Sequence, residues 1–173
     1  LLWSIQVARL DSPNGPVPVL AGVTVDPAGN VLVAGSFEGT IDLGGGPLES
    51  LAGANGRDDV FAAKLSPSGA HIWSRRFGGT LGEGAYGIAA GGDGSAVLTG
   101  WFEYSSSHDQ TTIDFGGGPL RGGDQGNTFV ARLGPSGEHL WSDTAPGTGR
   151  DWGVATDIGP AGDVFVASWV DWI

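Results

Sequence analysis

Phe61 to Trp73 reads FAAKLSPSGAHIW and Phe129 to Trp141 reads FVARLGPSGEHLW, one string written twice without a gap. The distance from Trp73 to Trp141 sets a period of 68 residues, and self-similarity at a fixed period marks a repeat architecture such as a propeller, solenoid or array. Going forward, Gly79-Thr80 falls on Gly147-Thr148, Gly91 on Gly159, Gly94 on Gly162 and Trp101 on Trp169. Going backward, Asp42 in TIDLGGGPL corresponds to Asp114 in TIDFGGGPL, once a longer loop at Tyr104 to Gln110 and a shorter one after Leu120 are allowed. Such length changes belong to loops. A third copy shows at its flanks, where Trp3-Ser4 matches the later Trp-Ser pairs and Gly22 to Phe37 matches Gly87 to Phe102.

Inside one repeat the pattern is strands joined by tight turns. The 33 glycines and 10 prolines interrupt every window long enough for an amphipathic helix, and the short apolar stretches are rich in Val, Ile, Phe and Trp, as strands are. Four turns share one chemistry: Asp26-Pro27-Ala28-Gly29, Ser66-Pro67-Ser68-Gly69, Gly134-Pro135-Ser136-Gly137 and Gly159-Pro160-Ala161-Gly162. Proline presets the second position and glycine relieves the fourth. Gly91-Gly92-Asp93-Gly94 is expected to do the same without the proline. Strands are expected near Ala21 to Val25, Val31 to Phe37, Asp59 to Leu65 and His71 to Phe77, and again near Asn127 to Leu133 and His139 to Asp143. Along Val31 to Phe37, Val31, Val33 and Phe37 face one way and Leu32 and Ala34 the other, so both faces of the sheet are buriable.

A four-stranded antiparallel sheet sandwiched by copies of itself is a β-propeller blade. The expected fold class is therefore all-β: two complete four-stranded blades with partial blades at both ends. Residues 1–20 are expected to hold the last strand of a preceding blade and a loop, 21–77 a blade, 78–144 a blade, and 145–173 the first half of another.

The strings DPAGNVLVAGSFEGTIDLGGGPL (Asp26 to Leu48) and DVFAAKLSPSGAHIWSRRFGG (Asp59 to Gly79) resemble the SBBP repeat, a bacterial propeller repeat found mainly in long secreted or surface proteins. The likeness covers nearly the whole chain and departs from the pattern in the Pro-rich Ser12 to Val19 and in the Tyr104 to Gln110 insertion. It implies a propeller, a name that suggests seven blades, and a place outside the cell. It supplies no catalytic residues.

At about 68 residues per blade, a ring of at least about four blades exceeds 173 residues. The first expectation is a piece of a longer array, with any export signal outside this sequence. The second is mutual completion, in which Ala155 to Val170 of one copy pairs with Leu1 to Val7 of another and two chains make six blades.

A net charge of −11 and a pI near 4.3 disfavour nucleic acid and anionic membranes as partners. No window approaches the roughly 18 apolar residues of a membrane span, and zero cysteines exclude disulfide and thiol chemistry.

Most candidate chemical residues recur, which argues for structure over a single active site. His71 and His139 are equivalents, so packing or turn capping is expected; His108 is unique but lies in the polar string SSSHDQ without a second His or Cys. Asp42 and Asp114, Glu83 and Asp151, and Glu103 and Asp171 recur. Asp before a triple glycine accepts backbone donors in a tight turn. Asp58-Asp59 lacks the alternating Asp and glycine of a calcium loop, so calcium is the weaker reading and no metal or other cofactor is assigned. GxSxG, HExxH and P-loop strings are absent, and Gly44 to Gly46 and Gly116 to Gly118 read as turns because no Lys or helix follows. Among the seven Trp residues, the pairs Trp73 with Trp141 and Trp101 with Trp169 are expected in inter-blade packing. Trp152 and Trp172 have no Trp counterpart, facing Gly84 and Tyr104, and Trp152 beside Arg150 and Asp151 is the best candidate for a specific contact. No catalytic, cofactor or metal residues are assigned, and the ligand is left unknown. The expected function is a non-enzymatic scaffold or protein-binding propeller segment. A glycan-binding propeller closing by oligomerisation comes second, and a non-catalytic part of an extracellular hydrolase third.

Overall fold

The computed structural model describes residue 4 and residues 18–51, 57–103, 113–123, 126–145 and 151–170. Among them there are strands, turns and bends, without a helix. In chain order they are β1 (Val19–Val25), β2 (Val31–Phe37), β3 (Thr40–Asp42), β4 (Pro47–Glu49), β5 (Asp59–Leu65), β6 (His71–Phe77), β7 (Glu83–Ala90), β8 (Ala96–Glu103), β9 (Gly126–Leu133), β10 (His139–Ala145), β11 (Asp151–Ile158) and β12 (Val164–Val170). The protein is all-β and antiparallel throughout. The first sheet has the order β1-β2-β5-β6, the second β7-β8-β9-β10, and β11-β12 form a third, two-stranded sheet. No closed barrel or ring forms among the described residues. The expected last strand at Leu1 to Val7 lies outside the described residues.

The β1-β2, β5-β6, β7-β8, β9-β10 and β11-β12 hairpins close identically. In each, the turn glycine (Gly29, Gly69, Gly94, Gly137 or Gly162) donates its N–H at 2.9 Å to the carbonyl three residues earlier and holds a φ between 77° and 88°. That is a type I turn followed by a left-handed residue, a geometry that favours glycine. Gly91-Gly92-Asp93-Gly94 behaves as the others do, so the left-handed glycine rather than the proline is the common requirement.

Alternation along β2 divides the core in two. Leu32 and Ala34 join Val60, Ala62, Trp73 and Phe77 against Leu98, Phe102, Phe129 and Ala131 of the second sheet. Val33 and Phe37 face the other way, with Phe61 and Ala63, and are covered by Ile41 and Leu43. Ile41 is the middle residue of β3 and Leu43 follows it in the Gly-rich β3-β4 ribbon. Its counterpart in the next repeat, Ile113 and Phe115, enters the wedge between the first two sheets. There Phe115 lies 4.7 Å from Phe77 and 5.0 Å from Phe129 between ring centroids.

At the inner edge the filling is small. A β-carbon on Gly22 would come 3.3 Å from Ile88 Cγ2, and one on Gly87, its repeat equivalent, 3.1 Å from Thr156 N. Strand β7 accordingly contacts both β1 and β11.

Candidate functional site

The chemistry-bearing residues gather at the two ends of the junction between the first and second sheets. At the turn end, Asp26 opens the β1-β2 turn. Its Oδ1 accepts the Ala28 and Asn30 backbone N–H groups, both at 2.9 Å, and its Oδ2 accepts Asn30 Nδ2 at 2.9 Å and Lys64 Nζ at 2.8 Å. Lys64 also donates to the Gly94 carbonyl of the second sheet at 2.9 Å. Both side chains are buried. Burial works against the Asp26 charge, but the hydrogen bonds from Lys64 and Asn30 overcome it and hold the carboxyl at about 2. A cleft of about 280 Å³ lies here, lined by Asp26, Lys64, Asp93 and Pro135 among others. With both Asp26 oxygens engaged, the ion pair is a structural one within the first sheet, and the Lys64 bond to the Gly94 carbonyl is what ties that sheet to the second.

Position 64 corresponds to Arg132 in the second repeat. Arg132 Nη2 meets Asp93 Oδ2 at 3.1 Å and its Nε donates to Ser95 Oγ at 3.1 Å, on the surface of one sheet. The Ser95 hydroxyl and amide, above all, lower the Asp93 carboxyl. The sequence reading missed both ion pairs. Their signal was a cation repeated at positions 64 and 132 with an acid in the preceding turn.

Beside them, Trp73 Nε1 donates to the Pro135 carbonyl at 3.0 Å, and Trp73 is only 6% exposed. Trp141, its equivalent, is 37% exposed. Trp101 lies against Gly84 of its own sheet, with Nε1 where a β-carbon would stand. In the third sheet Trp152 replaces that glycine, and Trp169, 53% exposed, stacks on it with centroids 5.7 Å apart.

The recurrent histidines are structural partners of the triple glycines. His71 lies where a Gly45 side chain would begin and His139 where a Gly117 side chain would begin. Each imidazole Nε2 is within hydrogen-bond distance of a serine hydroxyl, Ser74 at 3.1 Å and Ser142 at 3.0 Å. The same tips are tied by Asp42 Oδ1, which accepts from Gly44 and Gly46, and by Asp114 Oδ1, which accepts from Gly116 and Gly118. The turn reading of these glycines therefore matches their geometry.

At the opposite end of the junction Asp59 and Glu83 are both fully buried. Asp59 Oδ2 accepts from Arg76 Nη1 at 3.0 Å and from the Leu51 N–H at 2.8 Å. Arg76 also reaches the Gly78 carbonyl at 2.9 Å. Glu83 takes only a long 3.4 Å contact from the Gly79 N–H. Among the described residues Asp59 Oδ1 and Glu83 Oε1 have no hydrogen-bond partner. Burial first, then the Asp59 charge, pushes the Glu83 carboxyl up to about 9. Asp58 is raised by burial and by Glu38 and Asp59. Glu103 pairs with Arg57 at 3.7 Å on the surface. Asp151, the equivalent of Glu83, is also buried, and neither of its oxygens has a hydrogen-bond partner among the described residues.

Among the described residues no three His, Asp or Glu side chains converge as metal ligands. Among the described residues there is no helix long and apolar enough to cross a membrane. His108, Arg150, Asp171 and Trp172 lie outside the described residues. No family model matches the chain, and no curated protein matches it.

Proposed function

We infer that the chain is a run of β-propeller blades of the SBBP kind, acting as a non-enzymatic repeat scaffold whose open faces receive further copies of the same unit. The observation that carries this is the change in exposure between equivalent residues. Val97, Leu98 and Phe102 of β8 are fully buried, whereas Phe165, Val166 and Val170 of β12 are 62%, 39% and 40% exposed. Among the described residues strand β8 is paired on both edges, while β12 is paired only with β11. The residues left bare are those that further strands and sheets of the same unit cover elsewhere in this chain, so the chemistry that fits them is more of the same repeat. Stability in such arrays is the sum of each repeat's own stability and its nearest-neighbour interfaces. Placement outside the cell rests on the SBBP resemblance alone.

Sedimentation with hydrogen exchange tests the reading. An assembly in which β12 amides are protected and Trp141 is shielded supports it. A monodisperse monomer with rapidly exchanging β12 amides overturns cover by a second copy, and turnover of any hydrolase substrate by the chain overturns the non-enzymatic assignment.

A second reading is favoured by the Trp152–Trp169 stack. In β8 the indole lies on glycine; in β12 it is raised on a second indole and half exposed, which suits the apolar face of a sugar ring. Glycan-array binding that disappears in Trp152→Ala supports this reading, and unchanged binding or none dismisses it.

A further inference from the structure

Two buried carboxyl groups meet at the junction of the first and second sheets, and one cation serves both. Asp59 comes from β5 of the first sheet and Glu83 from β7 of the second. Both border the space above Gly78: a β-carbon built there would be 2.6 Å from Asp59 Oδ1 and 2.7 Å from Glu83 Oε2. Only a glycine leaves that space free. Arg76 of β6 neutralises Asp59 through Oδ2. The other charged groups in reach are Glu103 of β8, which is also negative toward Glu83, and Asp58 before β5, whose carbonyl accepts the Glu83 N–H at 2.9 Å. Arg57 is committed to Glu103 at the surface. Among the described residues Glu83 therefore has no cation of its own, and its neighbour Asp59 has an oxygen without a donor.

We propose that Glu83 and Asp59 share one proton, so that a carboxyl group donating to a carboxylate clasps the first repeat to the second and the clasp opens when Glu83 ionises. The proton resides on Glu83 and is offered to Asp59 Oδ1, which gives the buried acceptor its missing donor. Leaving either carboxylate charged and unpaired at this depth carries a large desolvation cost, and two ionised carboxylates sharing one space repel. The upward displacement of the Glu83 carboxyl to about 9 agrees with that geometry. Folding then takes one proton from solvent at neutral pH. At the next junction Asn127 stands in place of Asp59 and Thr144 in place of Arg76, so the position that pairs with Glu83 in the first junction carries no carboxylate beside Asp151.

The sign follows from a folded value above the ordinary 4.5. The clasp is fully effective below about 4.5 and is lost as pH rises through about 9, at up to about tenfold in the folding equilibrium per pH unit. The test measures unfolding of the whole chain at several pH values between 5 and 10, in wild type and in Glu83→Gln, whose amide mimics the protonated acid. The expected result is a decline with pH in wild type that exceeds the variant's by about one proton's worth. An infrared band of a protonated carboxyl at pH 7, present in wild type and absent from Glu83→Gln, is expected alongside it. Parallel pH profiles, or no such band, overturn the proposal. So does stabilisation of wild type at pH 8 by calcium or magnesium that Glu83→Gln lacks, since a cation would then occupy the space. Should the variant not fold, proton uptake on refolding wild type at pH 7 gives the same reading: about one proton is expected, and none refutes the clasp.

Discussion

Trp73 and Trp141 are the same residue of the same sentence, yet one is sealed beneath the Pro135 turn and the other is open to water. Lys64 and Arg132 differ in the same direction. Lys64 is buried in an ion pair with Asp26 of its own sheet and also reaches across the junction to the Gly94 carbonyl, whereas Arg132 pairs on the surface of its own sheet without such a reach among the contacts of the described residues. Local conformation is set within a repeat, because both copies form the same hairpins in the same register. Burial, and with it the energetic weight of each side chain, is set by whether a neighbouring sheet stands opposite. Equivalent substitutions in the two repeats should therefore have unequal costs at the junction and equal costs inside a repeat.

The largest inequality is expected at the ion pairs. Asp26→Ala leaves Lys64 buried without its counter-charge, and breaking a buried pair from one side costs about 3–5 kcal/mol. Asp93→Ala removes a carboxylate whose side chain is 55% exposed, and an exposed pair is worth about 0–1 kcal/mol. Denaturant unfolding of the two variants checks this, and comparable losses would break the contrast. The Asp26 term also has a pH signature. Its folded value of about 2 lies below the ordinary 3.8, so its stabilisation is complete above 3.8 and is lost as pH falls through about 2. Acid titration of stability should show this loss in wild type and lack it in Asp26→Ala.

A smaller inequality is expected at the indoles. Trp73→Phe keeps an aromatic ring but leaves the Pro135 carbonyl without its donor, a loss of about 1–3 kcal/mol. Trp141→Phe meets no such carbonyl among the described residues and should stay within about 0.5 kcal/mol. Thermal unfolding of the pair separates them. If a second copy of the chain covers Trp141 in solution, its cost should rise toward that of Trp73 as protein concentration is increased, which would sharpen the scaffold reading.

The period, the hairpin turns and the two-faced strands were legible because they depend on residues close in sequence. Gly29 and Gly94 announce the same turn whether or not Pro precedes, and Leu32 against Val33 announces two cores. The Asp42 and Asp114 turn ties were legible for the same reason. The Lys64 tie was obscured because the acid moves within the turn, from its first position at Asp26 to its third at Asp93, so alignment by position does not pair them. That His71 covers Gly45 could not be read, since the contact joins a strand to a ribbon 26 residues earlier. Glu83 and Asp151 were recognisable as recurrent acids, but not as buried ones, because their burial is a property of how neighbouring sheets meet. The open state of Trp141 was hidden by its likeness to Trp73: repetition identifies a residue's place in its own unit and leaves its neighbour unspecified.

The smallest expected difference comes from contacts that stay within one repeat. Asp42 Oδ1 holds the Gly44 and Gly46 amides at 2.8 and 3.1 Å, and Asp114 Oδ1 holds the Gly116 and Gly118 amides at 2.7 and 3.0 Å, both on the exposed side of the ribbon. Neither tie involves an adjoining sheet. Each Asp→Ala substitution should cost about 0.5–1.5 kcal/mol, since water replaces the lost acceptor in part, and the two costs should agree within about 0.5 kcal/mol. The covered face beneath each ribbon differs, with Leu43 resting on Phe61 in one and Phe115 resting on Phe129 in the other, but the substituted carboxylate touches neither. A marked disparity between Asp42→Ala and Asp114→Ala would mean that the glycine tip transmits strain into the wedge it caps, and the division between local conformation and neighbour-dependent burial would no longer hold.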